Sequence, residues 1–132
     1  MSTPRIVRTT STGQNYAHSV TLGRHSLVAD EPEKLGGKDA GPAPFDLYLA
    51  ALASCSVITL QMYAERKGWE LGQVEAELAL SFPEDGRPRI HRTFSASGSL
   101  SDEQWQRLLE IVAKTPVTKA LEASAVISSE RR

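Results

Sequence analysis

The stretch covering residues 44–68, PFDLYLAALASCSVITLQMYAERKG, constrains this chain more than any other. Between Asp46 and Glu65 no side chain carries a formal charge. Wound into a helix, such a segment is apolar on nearly every face and must be buried on nearly every face. Its length approaches the roughly 20 residues that a bilayer-spanning helix needs. Ser54, Ser56, Thr59 and Gln61 interrupt it, and no second span accompanies it, so a core helix and not a membrane helix is expected. Pro44 suits the first helical turn, Asp46 complements the helix dipole, and Gly68 supplies a C-cap.

The segments around it read as sheet. Ile6, Val7, Thr9 and Thr10, then residues 16–22 and 26–29, are β-branched and alternating, with Gly13 and Gly23 between them. Two or three antiparallel strands are expected, the last turn being Gly23-Arg24-His25. Residues 30–44, with three prolines and three glycines, form a long loop, and loops of that length are usually functional or mobile. After the helix, Val74, Ala76, Leu78 and Leu80 alternate with Glu75 and Glu77, the pattern of a half-buried strand. Pro83-Glu84-Asp85-Gly86 is a turn, and residues 89–100 return as its hairpin partner. Ser101 and Gln104 have the spacing of a capping box. A second helix then carries Trp105, Leu108, Leu109 and Val112 until Pro116 breaks it. A short helical piece over 117–121 and a last strand over 125–128 complete the expectation.

This order is α+β, with largely antiparallel sheet around one long helix, in a single domain over residues 1–132. A monomer of this size covers only one side of that helix with sheet. The remaining apolar face calls for a second copy, most simply in an isologous homodimer. A formal net charge of −1 gives no electrostatic case for nucleic acid or an anionic membrane surface as partner. The start, MSTPRIVRTT, lacks the apolar core of a signal peptide. One cysteine closes no intramolecular disulfide, so a cytoplasmic location is expected.

That cysteine, Cys55, lies on a helical stripe with Tyr48, Ala51, Leu52, Ile58, Thr59 and Met62. It is either a small core hydrophobe or a thiol presented to a site. Nothing on the stripe is cationic, and the helix dipole fades well before its position. A reactive thiolate therefore needs an Arg or His from another segment or subunit; Arg8, Arg24, His25 and Arg92 are the candidates. Asp46 lies nine residues back, on the other side of the helix, where a dipole role is the simpler reading. His18, His25 and His91 have no metal-motif spacing, so no metal is expected, and the glycines at 36, 37 and 41 fit no nucleotide-cofactor motif.

The block GGKDAGPAPFDLYLAALASCSVITLQMYAERKGWEL strongly resembles the OsmC/Ohr family, the osmotically inducible and organic hydroperoxide resistance proteins. The upstream ADEPEKLGG and downstream LLEIVAKTPVTKAL are similar to the same family. The resemblance implies an OsmC-like fold in which antiparallel sheets wrap the central helices of an intertwined homodimer, with sites at the subunit interface. It also implies organic hydroperoxide chemistry without a cofactor. In the family one thiolate attacks the peroxide, a second cysteine resolves the sulfenic acid, and an Arg held by a Glu activates the first thiol. Cys55 falls at the attacking position, Thr115 at the resolving-cysteine position, and Thr118 where His is common. The family's arginine position falls on Gln14. Its glutamate position falls on Phe45, beside Asp46.

With those substitutions, two-cysteine turnover has no obvious route. The leading expectation is a one-cysteine peroxidase in which Cys55 is oxidised to a sulfenic acid and restored by an external thiol reductant. The alternative is a binding protein, whose dimer-interface pocket of Tyr48, Leu52 and Met62, with Phe45 at its mouth, holds a small apolar or lipid-like ligand. A third reading is a dimeric scaffold with no site at all.

Overall fold

The computed structural model describes residues 3–132. In chain order it contains β1 (Val7–Ser11), β2 (His18–Leu22), β3 (His25–Ala29), a 3-10 turn (Glu33–Leu35), α1 (Pro44–Lys67), β4 (Val74–Ser81), β5 (Arg89–Ala96), α2 (Asp102–Val112) and α3 (Pro116–Ala123). The architecture is α+β with two antiparallel sheets, ordered β1-β2-β3 and β4-β5. The chain divides into two compact units, Met1–Tyr48 and Leu49–Arg132, and the division falls within α1.

In the first unit, Ala17, Val20 and Ala29 are buried between exposed strand residues. The hub of this unit is Asp30, at the end of β3 and only 1% exposed. Its carboxylate accepts hydrogen bonds from the backbone N–H groups of Glu31 (2.8 Å), Lys38 (3.0 Å) and Ala40 (3.1 Å). One side chain thus folds the long Pro/Gly loop back on itself. Gly41 sits where an added Cβ would run into the Val28 carbonyl, so only glycine lets the loop close against β3.

The Ala40 N–H holds the Asp30 carboxyl below the ordinary carboxylate range; the Glu31 and Lys38 N–H groups add to this against the opposing effect of burial. A carboxyl lowered in the folded state stabilises the fold above its unfolded value of about pH 4, and that contribution is lost as pH falls through the lower folded value. Asp30→Asn is therefore expected to melt several degrees below the parent at pH 7 and to be nicked sooner by protease within residues 31–43. The two melting curves converge in acid. Equal melting at pH 7 would remove this role.

In the second unit, α1 buries Leu52, Ser56, Leu60, Tyr63 and Ala64, which recur every three or four residues along one face. Leu60, Tyr63 and Ala64 join Leu71, Leu108 and Val112 in the core, flanked by Trp69, Val74, Phe94, Ala96, Leu100, Trp105 and Ile111. The helix ends as the sequence suggests. Gly68 takes φ of 72°, the Trp69 N–H reaches the Ala64 carbonyl at 2.9 Å, and the Gly68 N–H reaches Glu65 at 3.2 Å. This is a Schellman cap, closed by the Trp69 ring packing edge-on against Tyr63. The capping box of α2 forms in both directions between Ser101 and Gln104.

Several expectations are corrected. Residues 125–128 form no strand, and Val126 and Ile127 are exposed, because among the described residues no strand pairs with them. The partner strand stops at Ala96 instead of continuing to 100, since Ser97 and Gly98 turn back onto Gln73 and Leu71. Leu109 points outward, 51% exposed, while its neighbour Leu108 is fully buried. By length and hydropathy alone α1 could cross a membrane. Its buried stripe instead belongs to the core just described.

Candidate functional site

Strand alternation brings a charge to the helix. On β5 the half-buried residues are Ile90, Arg92, Phe94 and Ala96, and Arg92 lies directly across from Leu78 of β4. An arginine thus stands in an apolar row. Its Nη1 donates to Ser56 Oγ on α1 and to Thr118 Oγ1 on α3, both at 3.0 Å. A guanidinium has no acceptor, so both hydroxyls must accept from it and send their own protons elsewhere. Ser56 donates to the Leu52 carbonyl at 2.7 Å, and Thr118 to the Val112 carbonyl at 3.3 Å.

Thr115 completes the chain. It is buried, caps α3 by accepting from the Thr118 N–H at 3.1 Å, and shares a 2.7 Å hydroxyl contact with Thr118 Oγ1. With the Thr118 proton committed to Val112, the Thr115 O–H is the donor in that contact. Pro116 at the first position of α3 costs no hydrogen bond there and fixes the turn that aims Thr118 inward.

Cys55 is half-buried and is the residue before Ser56. Burial lowers the Arg92 pKa, while the Glu122 carboxylate and the Cys55 sulfur both favour its charged form. The thiol and the guanidinium therefore belong to one electrostatic group in the second unit. A half-buried thiol is a nucleophile that a peroxide can oxidise to a sulfenic acid.

Of the residues singled out from the sequence, Arg92, Thr115 and Thr118 are joined by hydrogen bonds, and Arg92 is linked through charge to Cys55. Leu52 is buried and supplies the carbonyl that holds Ser56, whereas Met62 is 61% exposed. Gln14, Phe45, Asp46 and Tyr48 belong to the first unit. Gln14 lies in the exposed turn between β1 and β2, where its carbonyl accepts from the Ala17 N–H. The Asp46 carboxylate accepts from the Ala43 N–H at 3.0 Å, at the start of α1. Phe45 and Tyr48 pack edge to face, with ring centres 5.8 Å apart. Arg8, Arg24 and His25 are exposed.

Ser56 escaped the sequence reading, and Arg92 was only one of four candidate cations. The signal was present: in R-I-H-R-T-F-S-A, period-two alternation puts Arg92 on the same face as Ile90 and Phe94. Among the described residues no group of three or more His, Cys, Asp or Glu could hold a metal ion.

Fold and site together define an α+β protein with a single cysteine on its long helix, one residue before the serine that helps anchor a half-buried arginine. The chain belongs to the OsmC-like family, whose model, described as OsmC-like protein, matches residues 36–130. The fold is shared with solved structures. An OsmC like protein from Mycoplasma pneumoniae is 17% identical with a TM-score of 0.76, covering 92% of this chain and 89% of that one. An organic hydroperoxide resistance protein OsmC from Legionella pneumophila is 22% identical with a TM-score of 0.67, covering 90% and 89%. The organic hydroperoxide resistance protein OhrB of Bacillus subtilis is 22% identical with a TM-score of 0.60, covering 89% of each chain. No curated protein matches the chain.

Proposed function

We propose that the protein is a homodimeric one-cysteine peroxidase of oxidative stress defence, acting on organic hydroperoxides in the cytoplasm. The observation that supports this reading is a half-buried Cys55 on α1, in a chain where the family resemblance implies Thr115 in place of the resolving cysteine. The hydroperoxide resistance named for the Legionella and Bacillus proteins supports the substrate class. The Cys55 thiolate attacks the terminal peroxide oxygen, the O–O bond breaks, and the alkoxide leaves and takes a proton to become the alcohol. Sulfur is oxidised to the sulfenic acid. A first external thiol condenses with it, releasing water, and a second displaces the mixed disulfide and regenerates Cys55. A reducing cytoplasm supplies those thiols. The homodimer is supported by α1, whose Ile58 and Met62 are 51% and 61% exposed in the single chain.

Intact-mass analysis after substoichiometric organic hydroperoxide tests the mechanism. Cys55 is expected to gain one oxygen, to lose it on addition of excess small thiol, and to show no gain in Cys55→Ser. An unmodified Cys55, or peroxide consumption unchanged in Cys55→Ser, removes the reading. The same exposed apolar residues favour one second reading, a dimer that holds an apolar or lipid-like ligand between its copies. Native mass spectrometry of the freshly purified protein separates the two. A co-purified hydrophobic molecule on a dimer whose thiol is inert to hydroperoxide supports binding.

A further inference from the structure

We propose that a cleft between the end of α1 and the start of α2 binds a small carboxylate that carries a flat apolar ring. The cleft is separate from Cys55, which precedes Tyr63 by eight residues, roughly 12 Å along the helix axis. The inference therefore stands or falls independently of the peroxidase reading.

The charge gathered at this place is what calls for a ligand. Arg66, Lys67 and Arg107 lie 5.9, 5.6 and 5.8 Å from the centre of one ring, that of Tyr63. An aromatic face attracts a cation, but three like charges around one ring repel one another. Only Arg107 has a carboxylate in contact, Glu110 at 3.0 Å, and among the described residues Arg66 and Lys67 have none. Arg107 is also held in place. Its Nε donates to the Tyr63 hydroxyl and its Nη1 to Glu110, both at 3.0 Å, which leaves Nη2 without a partner among the described residues. Tyr63 in turn is 9% exposed and braced edge-on by Trp69. A guanidinium fixed in this way loses little further freedom when it meets an anion.

The cleft has a volume of about 320 Å³. That is near the lower end of the roughly 300–1,000 Å³ usual for small-molecule sites. Lys67 and Trp69 line it from the α1 side, Glu103 and Arg107 from α2. Ser101 and Gln104 border it too, but their side chains are spent on the capping box. Lys67 and Arg107 set against Glu103 leave the lining with one positive charge, which a monoanion balances and a phosphate dianion exceeds. A carboxylate can accept from both Lys67 Nζ and Arg107 Nη2, which are donors only. The half-buried indole of Trp69 supplies a flat apolar wall for a ring attached to that carboxylate.

The experiment is a titration of the ¹⁵N-labelled full chain with sodium benzoate, read by NMR at the indole N–H signals of the two tryptophans. Trp69→Phe and Trp105→Phe assign those signals. Benzoate is expected to shift the Trp69 signal saturably and to leave that of Trp105 nearly still. Benzamide, which lacks the charge, and acetate, which lacks the ring, are each expected to bind at least about fivefold more weakly. Lys67→Gln, at an exposed position, is expected to weaken benzoate about fivefold, the effect of one opposite charge at contact in water, and Lys67→Arg to restore it. Cys55→Ser is expected to bind as the parent does, whether or not the thiol reacts with hydroperoxide. The proposal is overturned by the absence of a saturable shift, by benzamide or inorganic phosphate binding as tightly as benzoate, or by unchanged affinity in Lys67→Gln. Loss of binding in Cys55→Ser would place the ligand at the thiol instead and overturn it as well.

Discussion

Replacing Leu108 by alanine is expected to lower the unfolding free energy by about 3 kcal/mol, whereas Leu109→Ala changes it by less than about 1 kcal/mol. The two residues are neighbours of the same type on the same helix, so helix propensity and unfolded-state effects nearly cancel between them. What differs is burial. Leu108 is 0% exposed and packs with Leu60, Tyr63, Ala64, Leu71 and Val112, while Leu109 is 51% exposed. Truncating Leu108 removes apolar contact and leaves a void that α1 and β5 can fill only by shifting. Against the total stability of about 5–15 kcal/mol typical of small proteins, that loss is large. Thermal or urea unfolding at one fixed protein concentration measures it, since association would make the midpoint depend on concentration. Equal losses from the two variants would mean that the core does not run through Leu108.

The contrast between these leucines also shows where the sequence stops being legible. Local patterns were sufficient for the extent of α1, whose uncharged run, Asp46 and Gly68 mark a long helix and its ends, and for the capping box at Ser101 and Gln104; in the single chain only one stripe of that helix is buried, not nearly every face. They were sufficient for β4, because alternation reports its half-buried face directly. Helical spacing placed both Leu108 and Leu109 on the apolar stripe, but only packing against α1 decides which of them is covered. The strand expected at 125–128 had the right residues, yet a strand is made by its partner and composition cannot supply one.

The site follows the same rule. A family pattern singles out Cys55 and Thr115 in the sequence but names no cation for this chain. The bonds that anchor Arg92 join residues 36 and 26 positions apart in the chain. Nothing local to Ser56 or Thr118 announces them, since a buried serine in a helix commonly bonds the carbonyl four residues back, as Ser56 also does with Leu52. Asp30 is a similar case. The D-E-P stretch suggested a loop, but not that one carboxylate would collect three N–H groups from positions 31, 38 and 40.

A single charge on the outer face of α1, Ile58→Glu, is expected to weaken the proposed homodimer at least about a hundredfold. The buried stripe of the helix runs through Ser56, Leu60 and Ala64, and Ile58 and Met62 lie roughly opposite it at about 100° per residue. Both are large, apolar and more than half exposed in the single chain. A second copy that covers them removes that surface from water, worth about 25 cal/mol per Å². A carboxylate at 58 would be trapped in that contact without a partner, at a cost of several kcal/mol, and each 1.4 kcal/mol is a tenfold change in affinity. Glutamate is itself a good helix former, so the chain still folds and the effect falls on association. Ile58 is also three residues from Cys55 and shares its flank of the helix, so the copy that covers Ile58 also limits access to the thiol. Sedimentation velocity at micromolar concentration should show a dimeric parent, a dimeric Ile58→Leu and a monomeric Ile58→Glu, with Cys55 of the monomer alkylated faster. A dimeric Ile58→Glu would place the subunit contact on another face, and a monomeric parent would leave this helix face uncovered and remove the dimer from the proposed function.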